Sequence, residues 1–189
     1  MIKDVFKDSI WETSFKIDLN DFVKDYLLHN PIGRNVSNYG GYQSKNLDLT
    51  DPSLDVLITY ITKQAYAYGC ALNYNTKKYV MSNMWLNVND HKDYNDIHIH
   101  GGGIVFAGVY YVNVKENQGD LVLTRHDAHL KNLAFNNHNY DNPYTWSYMH
   151  ISPINYKCVL FPASMLHSVH PNQTNDQRIS LSFNMIESE

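Results

Sequence analysis

The spacing of apolar and polar positions changes character near residue 78. Upstream of it the chain reads as one strand followed by helices. Residues 4–17, DVFKDSIWETSFKI, are strand-like. The next stretch, DLNDFVKDYLLHNP, predicts a helix with Asp18 or Asn20 as N-cap and Pro31 as its stop. NPIGRNVSNYGGYQSKN reads as loop. A second helix is expected in TDPSLDVLITYITKQAYAYGCALNY, where Leu54, Leu57, Ile58, Ile61 and Ala65 keep helical spacing. Thr50 or Asp51 can cap it, and Pro52 suits its first turn. Downstream, short strand-like runs follow one another: YVMSNMWLNVN, DIHIH, IVFAGVYYVNV, DLVLTR, TWSYMHIS, YKCVLFP, MLHSVH and RISLSFNMI. Turn signals such as KENQGD, SPIN, FPAS and PNQTND separate them. The pattern predicts a mainly β protein: a sandwich or barrel with N-terminal helices packed on one sheet. The 126–144 insert, HDAHLKNLAFNNHNYDNPY, is long for a hairpin connection. On a β scaffold such a loop is either a functional lid or a floppy insertion.

Composition narrows the class without naming a chemistry. A chain of 189 residues suits one domain with a sizeable core. We expect a single domain over 1–189, with 1–77 supporting a β core over 78–189. Apolar content of 43% and charged content of 18% are ordinary for a globular protein. A net charge of −4 gives no basic footprint, so no nucleic-acid partner is expected. No apolar run approaches the roughly 20 residues of a membrane helix. The N-terminal MIKDVFKDSIW has no apolar core of a signal peptide. Cys70 and Cys158 lie far apart and match no CxxC pattern. A reduced, cytoplasmic protein is the simplest expectation.

The candidate chemistry sits in NDIHIHGGG, residues 95–103. Alternate residues of a strand share a face, so an extended segment would project His98 and His100 side by side, with Asp96 on the same face. FPASMLHSVHPNQTNDQRISLSFN supplies a third histidine, His167, and eleven residues later Arg178. His170 is the competing ligand, on the opposite face of a strand. In RISLSFN, Arg178, Ser180, Ser182 and Asn184 share one face, and Ile179, Leu181 and Phe183 share the other. The apolar face belongs to a core, and the polar face looks into water or a ligand. Neutral imidazoles are common metal ligands, and three protein ligands leave open positions on iron. Arginine is scarce here, being found at positions 34, 125 and 178, which makes Arg178 notable.

The combination W-x-N, H-x-H, GVYYV, FPASMLH-x-V and RISLSFN resembles the Fe(II)/2-oxoglutarate-dependent oxygenases. More narrowly, it is similar to a bacterial and phage group related to prolyl hydroxylases. The likeness covers roughly residues 83–186. It implies a double-stranded β-helix (jelly-roll, cupin-like) core and an oxidoreductase that consumes Fe(II), 2-oxoglutarate and O2, with ascorbate as a further helper. It also implies succinate and CO2 as co-products and hydroxylation of a protein side chain, such as proline, or of a small molecule. By this resemblance His98, His100 and His167 hold iron. Arg178 pairs with the distal carboxylate of 2-oxoglutarate, which its planar fork suits, and Ser180 assists. Tyr111 hydrogen-bonds the same carboxylate, and Asn87 faces the cosubstrate. Tyr110 and Asn184 rank lower, as does Asp96, a fallback ligand or a partner orienting an imidazole. Position 100 departs from the superfamily, whose usual second ligand is a carboxylate, and leaves the iron more positive. The likeness suggests a host-cytoplasm location for a phage-encoded copy, and the N-terminal helices offer a surface for a homodimer.

Two other classes compete. A cupin-type metalloenzyme without 2-oxoglutarate shares the H-x-H opening, and Pro162 to His167 partly resemble its second half. That pattern wants a Glu where this chain has Ile104 and Val105. A non-catalytic β-sandwich with structural histidines or a closed zinc site is the third reading. A substrate role for the histidines of the 126–138 group is a further possibility, and Trp85 reads as core.

Overall fold

In the computed structural model, residues 8–75, 78–128 and 146–188 are described. Strand β1 (Trp11–Ser14) and helix α1 (Asn20–His29) are followed by the short strands β2 (Asn38–Tyr39) and β3 (Tyr42–Gln43). A 3-10 turn over Pro52–Leu54 leads into helix α2 (Asp55–Ala71). Eight strands make up the rest: β4 (Tyr79–Asn89), β5 (Tyr94–His98), β6 (Ile104–Asn113), β7 (Leu121–Thr124), β8 (Tyr148–Ile151), β9 (Lys157–Pro162), β10 (Leu166–Val169) and β11 (Arg178–Glu187).

The strands form two antiparallel sheets in a double-stranded β-helix, with orders β1-β9-β6-β11-β4-β3 and β2-β5-β10-β7-β8. Alternation along the strands of the larger sheet builds two cores. Phe106, Tyr110, Leu160, Leu181 and Phe183 point to one side, where they meet Leu54, Leu57 and Ile61 of the helical segment. Ala107, Val109, Tyr111, Val159 and Phe161 point to the other and meet Leu121 and Leu123 of the smaller sheet. A sheet covered on both faces explains why IVFAGVYYV reads as a continuous apolar run rather than an alternating one. β4 and β11 break this rule. Their helix-side residues are apolar, but Asn87, Asn89, Arg178 and Ser180 are buried on the inner side. That polar strip marks where the interior becomes a site.

The helical segment follows its sequence closely. Asp51 accepts a hydrogen bond from Ser53 N at 2.9 Å, and Leu54, Leu57, Ile61 and Ala65 are fully buried. Asp18 accepts from Asn20 N at 3.0 Å, although Leu19 occupies the N-cap of α1. The described part of the expected 4–17 strand is confined to β1. The segment expected as loop holds β2 and β3, which pair with β5 and β4. Gly40 and Gly41 join them in the left-handed region (φ 67° and 65°). A Cβ on Gly41 would meet the Val88 carbonyl at 2.7 Å, so the close approach needs glycine. Two-residue strands are too short to show a period. Most of the 126–144 insert, including His129 and His138, lies outside the described residues. No described helix is long and apolar enough to cross a membrane.

Candidate metal centre

Three histidines converge between the sheets. His98 ends β5 and lies directly opposite His167 of β10 in the strand register. Their ring centroids are 4.2 Å apart. His100 lies past the end of β5, where its backbone N donates to the Ala163 carbonyl at 2.9 Å and docks it against the FPAS turn. Its ring is 5.3 Å from that of His98 and 5.0 Å from that of His167. One ligand atom from each histidine falls within 4.8 Å of the others. Directly after His100 the chain must reverse, and Gly102 and Gly103 turn it with φ of 70° and 81°.

The tautomers are fixed by the backbone. His98 Nδ1 donates to the Asp96 carbonyl at 2.7 Å, and His167 Nδ1 donates to the Met165 carbonyl at 2.9 Å. A carbonyl only accepts, so Nδ1 carries the proton and Nε2 keeps its lone pair. His100 Nε2 is buried without a partner. Burial pushes the imidazole of His167 down to about 3, and neighbouring His98 acts in the same direction. Burial, then His98, also lowers that of His100. Both rings are therefore neutral at neutral pH, the form that binds metal.

The pocket runs from this trio to Arg178, with Trp85, Asn87, Ser180 and Phe161 along its wall. Arg178 is 2% exposed. Its Nη1 donates to Asn89 Oδ1 and to Ser180 Oγ, each at 3.3 Å, and its Nε has no partner. The guanidinium carbon lies 5.2 Å from the centre of the Tyr111 ring. The Tyr111 hydroxyl is also buried and unpartnered. Burial pushes that phenol up, and the charge of Arg178 opposes the rise. Among the described residues no carboxylate lies within ion-pair distance of Arg178. A buried charge with only neutral acceptors is costly, and each orphaned buried polar atom costs about 1–3 kcal/mol. The Arg178 end is thus built for an anion with several acceptor oxygens, and the imidazole end for a metal with open positions.

Asn87 lines the pocket and donates from Nδ2 to Ser182 Oγ at 3.0 Å. Asn184 is buried beside His100, whose protonated form it favours, opposing the downward shift. Two placements, those of Asp96 and Trp85, differ from strict strand alternation or from the expected role, whereas Tyr110 turns away from the pocket as a regular strand requires. A bulge between Asn95 and His98 puts those two residues, rather than Asp96 and His98, on the inner face. The exposed Asp96 carboxylate accepts from Ile97 N at 2.8 Å and stands outside the trio, so the backbone carbonyl, not the side chain, orients His98. Tyr110 faces the helices, and its hydroxyl donates toward the Phe15 and Ile17 carbonyls at 3.0 and 3.1 Å. Trp85, expected as core, lines the pocket and stacks on His100 at 6.0 Å. Asn89 and Phe161 were not anticipated. Asn89 carried a signal, since it continues the inner face of Trp85 and Asn87, while the Phe161 contact with His167 at 4.7 Å depends on strand pairing.

A family model described as "Putative 2OG-Fe(II) oxygenase" matches residues 83–184. No curated protein matches the chain in a sequence search. Among solved structures, the chain is similar to a Pseudomonas putida prolyl-4-hydroxylase, with a TM-score of 0.66 at 11% identity over 96% of this chain and 94% of that one. It is also similar to the α-ketoglutarate-dependent carbocyclase SnoK of nogalamycin biosynthesis (TM-score 0.69, 10% identity, covering 96% and 81%). HygX from Streptomyces hygroscopicus, solved with nickel and 2-oxoglutarate bound, gives a TM-score of 0.62 at 8% identity, covering 96% and 84%. At these identities the likenesses establish the double-stranded β-helix fold.

Proposed function

Since the chain belongs to the 2OG-Fe(II) oxygenase family, we propose that it is a hydroxylase whose metal ligands are His98, His100 and His167. Family membership decides against the cupin-type and non-catalytic readings. When bound, Fe(II) and 2-oxoglutarate supply the oxidising chemistry, with O2 consumed and succinate and CO2 released. The chain's own residues provide placement. The backbone carbonyls of Asp96 and Met165 hold the protons of His98 and His167 at Nδ1, which leaves both Nε2 atoms as donors to the metal. Arg178, buried at one end of the pocket, would neutralise the distal carboxylate of the cosubstrate. Ser180 and Asn89 fix the plane of its guanidinium, and the free hydroxyl of Tyr111 is a second donor to the same carboxylate. Asn87 and Trp85 line the same pocket, and Asn87 would face the cosubstrate. Likeness to a prolyl-4-hydroxylase favours a protein side chain as substrate, and likeness to enzymes of nogalamycin biosynthesis favours a small molecule.

The observation that carries this reading is the pairing of three converging imidazoles with a buried arginine that lacks a counter-ion, among the described residues, at the other end of one pocket. Cells expressing the wild type and His167→Ala should be compared under 18O2 by mass spectrometry of proteins and metabolites. A product carrying one heavy oxygen only with the wild type supports hydroxylation. A wild-type-dependent product without the label contradicts it.

A further inference from the structure

A second group of metal-binding side chains lies on the back of the smaller sheet. Asp120, His150 and His170 each offer a ligand atom within 4.8 Å of the others. They come from three adjacent strands: Asp120 precedes β7, His150 lies in β8 and His170 follows β10. The register explains their meeting. His150 is opposite Val122, and Val169 is opposite Leu121, which puts His170 beside Asp120. Alternation then turns all three to the outer face, away from His167 and Leu123. The backbone holds the geometry, since His170 N donates to the Asp120 carbonyl at 2.9 Å. Gly119, at φ 88°, permits this approach, because a Cβ there would collide with the His170 carbonyl oxygen at 2.0 Å. The His150 and His170 rings are 5.1 Å apart, and His150 Nδ1 is 3.6 Å from Asp120 Oδ2. Both histidines are exposed, which leaves room for water ligands.

We propose that Asp120, His150 and His170 form a second site for a divalent transition metal, separate from the iron centre. Two imidazoles and one carboxylate suit a borderline ion such as zinc better than magnesium or calcium, which prefer oxygen alone. The ion would tie the edge strand β8 to β7 and β10 at the end of this ladder opposite the Thr124–Tyr148 pair.

Zinc is the probe. The wild type is loaded with zinc chloride, freed of excess and assayed for bound metal per chain, beside His150→Ala/His170→Ala and Asp120→Asn. Both altered histidines are exposed and Asp120 is half-buried, and circular dichroism checks the fold of each variant. The expected result is two equivalents for the wild type and one for the double variant. In Asp120→Asn the second equivalent should weaken on the order of tenfold or more. A His98→Ala/His167→Ala variant should keep one equivalent, which separates this site from the iron centre. A single equivalent in the wild type, or a second that survives His150→Ala/His170→Ala, overturns the proposal.

Discussion

Arg178 is the residue on which the chemistry of the pocket turns, because its charge is buried beside neutral acceptors. A hydrogen bond to a charged group contributes about 1.5–3 kcal/mol. Arg178→Ala should therefore raise the KM for 2-oxoglutarate roughly 10- to 150-fold in a succinate-release assay. Arg178→Lys should recover part of this, since an ammonium keeps the charge and loses the planar fork. The adjacent tyrosines separate cleanly. Tyr110→Phe removes hydrogen bonds to the N-terminal segment and should cost about 1 kcal/mol in urea denaturation, with the KM unchanged. Tyr111→Phe removes a buried unpartnered hydroxyl, so the ligand-free protein should lose no stability while the KM rises several-fold. The lowered imidazole pKa values of His167 and His100 set a pH dependence for the metal-free protein. Below about 6.5 the unfolded chain takes up protons that the buried rings refuse. Stability is thus fully present above that pH and falls as pH drops toward 3. The melting temperature should decline across this window, and His167→Gln should flatten the decline. At this scale the pair His98 and His100 was legible from its spacing, and the grouping of His167 and Arg178 with it from likeness to a known family. The exposed position of Asp96 was not, because the bulge that reverses its face exists only in the pairing of β5 with β10.

Strands of the larger sheet hold the Arg178 end of the site on one face and pack on the helices with the other. Gly108 shows how tight that packing is. A Cβ there would lie 2.4 Å from Phe183 Cζ and 2.5 Å from the Val159 carbonyl. Gly108→Ala should destabilise by about 1–3 kcal/mol through overpacking, read from the urea midpoint. Because Gly108 also lines the pocket, metal binding should weaken with it. Elements with a sustained period were readable. β4 spans the residues of YVMSNMWLNVN, and α2 buries its predicted stripe. β2 and β3 were not, since two residues carry no period and their strand character comes only from their partners. β5 ends at His98, two residues short of the expected DIHIH, because His100 bonds to the Ala163 turn instead of continuing the ladder.

Two sheets and a helical layer together place the imidazole trio and Arg178 in one pocket, from β5, β10 and β11. A sandwich or barrel with helices packed on one sheet followed from the short strand-like runs, and the jelly-roll topology from likeness to a known family. The sheet order was not legible, because β11 inserts between β6 and β4, and β1 pairs with β9 across most of the chain. Such contacts are set by the competition of all strands for partners rather than by any local signal. The central claim is that this pocket holds Fe(II) through three histidines and 2-oxoglutarate through Arg178. Anaerobic titration of the metal-free protein with Fe(II) and 2-oxoglutarate, following the visible charge-transfer band of the chelate, tests it most directly. The account predicts a band that is absent in His167→Ala and needs far more 2-oxoglutarate in Arg178→Ala. Iron bound without any band, or a band indifferent to both substitutions, would contradict it.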